Sequence, residues 1–194
     1  MSSKRFPGKV LAPFHGKPIL WHVVERVTQA LPELSRVVLT STDASDDPLA
    51  AYCEHLGVPC FRGPLDDVFE RFRAAARERR APWLLRICAD SPLLDSRVLR
   101  AVTDAFDPSL DLITTTAPRT FPKGHNAELI NAATFGAIEA RELDADDREH
   151  VTRFLHRHPQ RFKIKNVESG DPSLAQLELA VDTIEDLQRL EATR

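Results

Sequence analysis

Trp83-Leu84-Leu85-Arg86-Ile87-Cys88-Ala89-Asp90-Ser91-Pro92 is a short apolar run that stops on an aspartate and a Ser-Pro turn. That pattern reads as a buried strand whose carboxyl end carries a carboxylate. Outward in both directions, apolar or β-branched runs of strand length alternate with longer runs at helical spacing. Upstream, 36–42 and 58–61 read as strands, with helices over 18–30, over 48–56 (stopped by Gly57) and over 66–80. Downstream, the spacing predicts a helix over 96–106, a strand over 110–115 and a loop over 116–125 that carries Pro118, Pro122 and Gly124. A strand near 127–130, helices over 132–141 and 148–158, strands over 162–167 and 177–181, and a terminal helix over 183–192 complete the chain. Alternation of this kind argues for an α/β fold around a mostly parallel sheet.

No repeat, low-complexity tract or linker interrupts the pattern, and 194 residues suit one domain with a full-sized core. Hydrophobic residues at 42% and charged residues at 28% are ordinary for a globular protein. A net charge of -3 gives no reason to expect nucleic acid or an anionic membrane as partner. The three cysteines, Cys53, Cys60 and Cys88, form no CxxC and leave one unmatched, which fits free thiols in a reducing compartment. No apolar run reaches membrane-spanning length and the amino terminus is too polar for a signal peptide, so a cytoplasmic protein is expected.

Two aspartates stand at expected strand ends: Asp90 after 84–88 and Asp182 after 177–181. Ligands of open α/β sheets bind at the carboxyl ends of strands. Two carboxylates brought together there favour a hard, oxygen-liganded cation such as Mg²⁺, which also takes substrate phosphate. Each has a simpler structural reading, favoured on spacing alone. Asp182 helps start the last helix, where Thr183 is an N-cap candidate with Asp186 three residues on, and Asp90 is an ordinary turn aspartate. At the amino end, Ser2 and Ser3, Arg5, the Pro7-Gly8 turn and Lys9 have the chemistry of a phosphate cradle, with a frayed basic terminus as the alternative. Gly16-Lys17 lacks the upstream glycine of a Walker A loop. Glu149-His150 invites an acid–base or metal reading, although a lone His at a helix head is more often capped or partly buried. His156 and His158 read as surface residues, and Asp144-Ala145-Asp146 as a solvated helix-start cluster despite its DxD form.

In order along the chain, Ser2-Ser3-Lys4-Arg5-Phe6-Pro7-Gly8-Lys9-Val10-Leu11 is followed by Thr40-Ser41-Thr42-Asp43 and Phe61-Arg62-Gly63-Pro64-Leu65-Asp66-Asp67-Val68. Arg86-Ile87-Cys88-Ala89-Asp90-Ser91-Pro92-Leu93-Leu94, Phe121-Pro122-Lys123-Gly124, Arg148-Glu149-His150-Val151-Thr152 and Val181-Asp182-Thr183-Ile184-Glu185-Asp186-Leu187 come next. Together these strings resemble the CMP-sugar synthetases, especially the cytidylyltransferases similar to spore coat polysaccharide protein F, over nearly the whole chain. The resemblance implies a three-layer α/β/α nucleotide-diphospho-sugar transferase fold, Rossmann-like, with a nucleotide-binding half over about 1–92 and a sugar-binding half over about 93–182. It implies Mg²⁺-assisted transfer of a cytidylyl group from CTP to a sugar or sugar acid (acylneuraminate-, nonulosonate- or polysaccharide-precursor-like), with release of pyrophosphate. By position, Arg5 and Lys9 are the implied triphosphate-binding and catalytic cations, with Ser2 and Ser3 in the same loop. Asp90 and Asp182 are the implied metal pair, with Asp90 also touching nucleotide. Lys123, Asn126, Glu128, Glu149 and His150 are the implied sugar contacts. Nucleic acid and membrane are not expected partners, and the resemblance is compatible with a homodimer.

The chain departs from the family pattern at Ala89, where Gly is common, at Ile184, where Pro is usual, and at Asn126, a position often held by Asp. The resemblance also implies a short apolar strand ending in Gln-Ala-Arg directly before the position of Met1. The expectation is that Met1 is an internal residue of a longer natural protein, with a truncated form as the alternative. Two other functions stay open: a non-catalytic nucleotide- or sugar-binding remnant, and a glycosyltransferase on the same fold with metal on Asp144 and Asp146.

Overall fold

The computed structural model describes residues 5–193. The amino-terminal loop turns through Phe6-Pro7-Gly8-Lys9, closed by Lys9 N–H donating to the Phe6 carbonyl at 3.2 Å. Proline second and a glycine at φ +74° third are the residues a type II turn requires. A 3-10 turn over Lys9–Leu11 follows, then a tight hairpin of β1 (Pro13–Phe14) and β2 (Lys17–Pro18). The sequence did not predict this hairpin. His15 and Gly16 both take positive φ at its tip, as a two-residue hairpin loop demands. Pro18 therefore ends a strand, and the helix α1 (Ile19–Ala30) begins one residue after the expected start.

Next come β3 (Val38–Ser41), α2 (Asp47–His55), β4 (Cys60–Gly63), α3 (Val68–Arg79), β5 (Trp83–Ile87), α4 (Ser96–Asp104), β6 (Leu112–Thr114), β7 (Ala127–Asn131) and α5 (Ala132–Ala137). The chain continues through α6 (Ala145–Glu149), α7 (Arg153–Arg157), β8 (Ile164–Asn166) and α8 (Ile184–Glu191). β3 and β4 pair in parallel. The main sheet has the order β5-β7-β6-β8, in which β5, β6 and β8 share one direction and β7 alone is reversed.

Strand periodicity divides the core between two helical layers. Ala127 and Leu129 of β7 and Ile113 of β6 bury against Val98, Leu99 and Val102 of α4. Ile130 of β7 and Leu112 of β6 face the other way, into a cluster with Phe69 of α3, Phe135 of α5 and Phe154 and Leu155 of α7. The alternation also places Glu128, two residues before Ile130, on the α3–α7 side. Arg86 and Thr114 are its register neighbours on β5 and β6.

Three expectations need correction. The helix expected over 148–158 is two short helices, because the Asp144–Asp147 capping box starts α6 earlier and His150 leaves helical geometry at φ −104°, ψ 79°. The helix expected over 132–141 stops at Ala137, where Ile138 turns extended and buries itself in the core. The strand expected over 177–181 joins no ladder. Lys123 N–H donates to the Leu177 carbonyl and Leu179 N–H to the Lys123 carbonyl, so this segment pairs with a loop through an isolated bridge at Lys123 and Glu178.

Candidate active site

The segment that failed to become a strand builds the site. Val181 N–H donates to the Asp90 carbonyl at 2.8 Å, which sets Asp182 beside the carboxyl end of β5. Thr183 caps α8, and the Asp186 carboxylate accepts from the Asp182 and Thr183 N–H groups. The capping duty belongs to Thr183 and Asp186, which leaves the Asp182 carboxylate to face Asp90. Lys9 lies between the two, with its Nζ donating to Asp90 Oδ2 at 2.7 Å and to Asp182 Oδ1 at 2.9 Å. Arg5 and Lys123 reach the other Asp182 oxygen at 3.1 and 3.0 Å. Burial pushes the Asp182 carboxyl up, but hydrogen bonds from Lys9 and Lys123 outweigh it and bring the group down to about 2. Burial pulls the Lys9 ammonium down, yet the charges and hydrogen bonds of Asp90 and Asp182 leave it above its ordinary value.

Sequence positions 90 and 182, and positions 5 and 9, thus meet in one cluster of facing carboxylates and cations. Lys123 joins this cluster, also reaching Glu178 at 3.0 Å, and is not among the residues lining the cavity described next. Gly124 locks its loop in place. It takes φ +103°, and a Cβ there would stand 2.7 Å from the Leu179 carbonyl carbon. Ser2 and Ser3 lie outside the described residues.

Both carboxylates are hard oxygen donors that already hold one cation, the Lys9 ammonium, between them. Mg²⁺ suits that donor set. Among the described residues, no group of three or more His, Cys, Asp or Glu side chains is placed to hold a metal. A magnesium ion held by Asp90 and Asp182 would therefore draw its remaining ligands from water and phosphate oxygens.

A second feature is a polar cavity of about 300 Å³ on the α3–α7 side of the sheet, lined in part by Arg86, Arg119, Asn126, Glu128, His150 and His156. Glu128 is 2% exposed and forms its floor. Arg86 Nη1 donates to Glu128 at 2.5 Å, Thr152 Oγ1 to both carboxylate oxygens at 2.9 Å, Thr114 Oγ1 at 3.2 Å, and the His156 ring reaches it at 3.2 Å. Burial drives this carboxyl up, but the His156 hydrogen bond, the Arg86 charge and Thr152 hold it at about 2. Glu128 is thus at the cavity, as expected from sequence, with its oxygens already engaged by the chain's own donors. Asn126 accepts from Arg119 at 2.6 Å, His150 lines the rim, and Glu149 is exposed and not among the lining residues.

Arg86, Arg119, Thr152 and His156 were not singled out from sequence, and the expectation that His156 lies free on the surface is corrected. Its place follows from the break after α6, which rotates Thr152 and His156 onto Glu128. Arg86 carried one available signal, a charged residue inside an apolar strand. Asp144 and Asp146 are engaged elsewhere: Asp144 pairs with Arg153 at 2.9 Å and Arg157 at 2.6 Å, and Asp146 with Arg153 at 3.4 Å.

Facing carboxylates and convergent cations at strand ends, beside a polar cavity on a three-layer α/β/α frame, define a nucleotide-sugar transferase class of protein. The chain belongs to the cytidylyltransferases, whose family model matches residues 1–193. It is 32% identical to the spore coat polysaccharide biosynthesis protein SpsF of Bacillus subtilis, across 99% of this chain and 82% of that one. A 3-deoxy-manno-octulosonate cytidylyltransferase of Anaeromyxobacter sp. is 30% identical over 71% of this chain and 57% of its own length. The solved structure of a cytidylyltransferase from Leptospira borgpetersenii superposes with a TM-score of 0.92 at 28% identity, covering 98% of this chain and 81% of that one. The fold is that of the nucleotide-diphospho-sugar transferases. No helix among the described residues is long and apolar enough to cross a membrane.

Proposed function

We propose that this protein transfers the cytidylyl group of CTP to a sugar or sugar acid, releasing pyrophosphate, and that Mg²⁺ assists. The observation that carries the reading is the Asp90–Lys9–Asp182 bridge, with Arg5 and Lys123 on the same carboxylate. The acceptor oxygen forms a bond to the α-phosphorus of CTP, losing its proton to water where it is a hydroxyl, while the bond from that phosphorus to the bridging oxygen breaks and the electron pair leaves on pyrophosphate. Such transfers depend mainly on positioning and on neutralising developing negative charge. Arg5 and Lys9 supply cations for the triphosphate, and Asp90 and Asp182 would hold a magnesium ion, which when bound polarises phosphate oxygens. The polar cavity is the acceptor site in this reading. Supporting it are the family, the likeness to a 3-deoxy-manno-octulosonate cytidylyltransferase and the engagement of Asp144 and Asp146 with arginines, which disfavours a metal there.

The test measures pyrophosphate release with each of the four nucleoside triphosphates across a panel of sugar acids and sugar phosphates, together with nucleotide binding by calorimetry. Release specific to CTP is expected. Absence of CTP binding would overturn the assignment, and CTP binding without turnover on any acceptor would favour a nucleotide-binding remnant.

A further inference from the structure

We propose that Arg119 reads an anionic group, carboxylate or phosphate, on the acceptor sugar, and that Asn126 aims Arg119 while leaving its charge for the ligand. The inference rests on the cavity being the acceptor site. Three guanidinium groups line it, those of Arg86, Arg119 and Arg153, against the single carboxylate of Glu128. Two of the three are matched within the chain: Arg86 to Glu128 at 2.5 Å, and Arg153 to Asp144 at 2.9 Å and Asp147 at 2.7 Å. Arg119 differs. Its Nη1 donates to the amide oxygen of Asn126 at 2.6 Å, and among the described residues no carboxylate lies within ion-pair distance.

A half-buried guanidinium whose charge no carboxylate matches keeps that charge available to an incoming anion. Its planar fork matches carboxylate and phosphate oxygens in pairs, so those two chemistries are what it selects. An asparagine has the shape of an aspartate but no charge, so it orients the fork without neutralising it. The loop is also held rigidly, because Ala117 N–H donates to the Asn166 side chain at 3.1 Å, which in turn donates to the Pro118 carbonyl at 3.0 Å. Glu128, with its oxygens engaged by Arg86, Thr152, Thr114 and His156, presents little free negative charge to repel an incoming anion.

Arg119 contacts the ligand in this proposal, and Asn126 is a positioning residue. The test titrates the full chain, with and without CTP, with 3-deoxy-manno-octulosonate (a carboxylate), glucose 1-phosphate (a phosphate) and methyl glucoside (neutral). At least one anionic probe is expected to bind, and which one responds identifies the acidic group. Asn126→Asp and Arg119→Gln should each weaken that probe about tenfold or more, as loss of a charge-assisted pair predicts. Arg119→Lys should recover part of the loss, and CTP affinity should stay unchanged in all three variants. In turnover, the effect should fall on KM for the acceptor and not on kcat. Failure of both anionic probes to bind wild type, or equal binding by wild type and Arg119→Gln, would overturn the proposal. Loss restricted to CTP would overturn it too. Wild type that binds an anionic probe but no CTP would instead overturn the cytidylyltransferase reading and leave the Arg119 assignment standing.

Discussion

Lys9 concentrates the chemistry of this site in one ammonium. It neutralises two carboxylates that would otherwise face each other across the strand ends, and it comes from a loop whose turn is set by Pro7 and Gly8. At the residue scale the consequence is a sharp division between acidic groups. Asp90→Asn and Asp182→Asn each keep the side-chain shape while removing charge from the cation cluster. Each should lower CTP-dependent pyrophosphate release by roughly 100-fold or more, the scale on which electrostatic groups at phosphoryl transfer act. Asp144→Asn should leave that rate within about twofold, because Asp144 serves the α6 cap and the Arg153 and Arg157 pairs, not the cluster. A steady-state assay of the three variants decides the matter, and loss of activity in Asp144→Asn alone would overturn the placing of the chemistry on Asp90 and Asp182.

At the scale of elements, two short segments hold the site together. The α8 cap frees Asp182, so Thr183→Ala should destabilise the fold by about 1 kcal/mol. In a chain of this size that corresponds to a fall of roughly 2–4 °C in the melting temperature. Gly124 tests the packing of the loop against 177–180. Gly124→Ala introduces both an unfavourable φ and a contact with the Leu179 backbone, whereas Gly170→Ala, at φ +79° with open space around it, introduces only the first. Calorimetric melting should show Gly124→Ala less stable than Gly170→Ala by about 1–3 kcal/mol, the usual penalty for overpacking; equal losses would mean that the segment yields freely. These same segments show how far the sequence was legible. Apolar periodicity exposed β5, β7 and the helices α1 to α4 and α8, since burial alone dictates that signal, and it placed Asp90 at a strand end. It misread 177–181 because an extended segment bound to a loop has the same composition as one bound to a strand. The Arg86–Glu128–Thr114 row depended on the register of β7 with two partners, a contact spanning 42 residues on one side. No local spacing encodes that register.

At the scale of the whole molecule, Glu128 ties β5, β6, β7 and the start of α7 into one buried charge network. Its carboxyl sits at about 2 against an ordinary 4.5. A depressed carboxyl stabilises the fold above its unfolded value and loses that contribution as pH falls through the folded one. The contribution is therefore complete above about pH 4.5 and disappears towards about pH 2; a shift of this size corresponds to about 3 kcal/mol. Asp182 acts in the same direction between 3.8 and about 2. Urea midpoints recorded from pH 6 to pH 2 should accordingly decline most steeply below pH 4.5. Glu128→Gln should be less stable at neutral pH, because Arg86 loses its partner, yet show a shallower decline in that acid window. Thr152→Val removes one donor to the carboxylate while keeping the shape of the side chain, so its acid profile should fall between the two. Identical slopes in wild type and both variants would mean that acid unfolding is governed elsewhere, and that the network across the main sheet does not set the stability of the polar cavity.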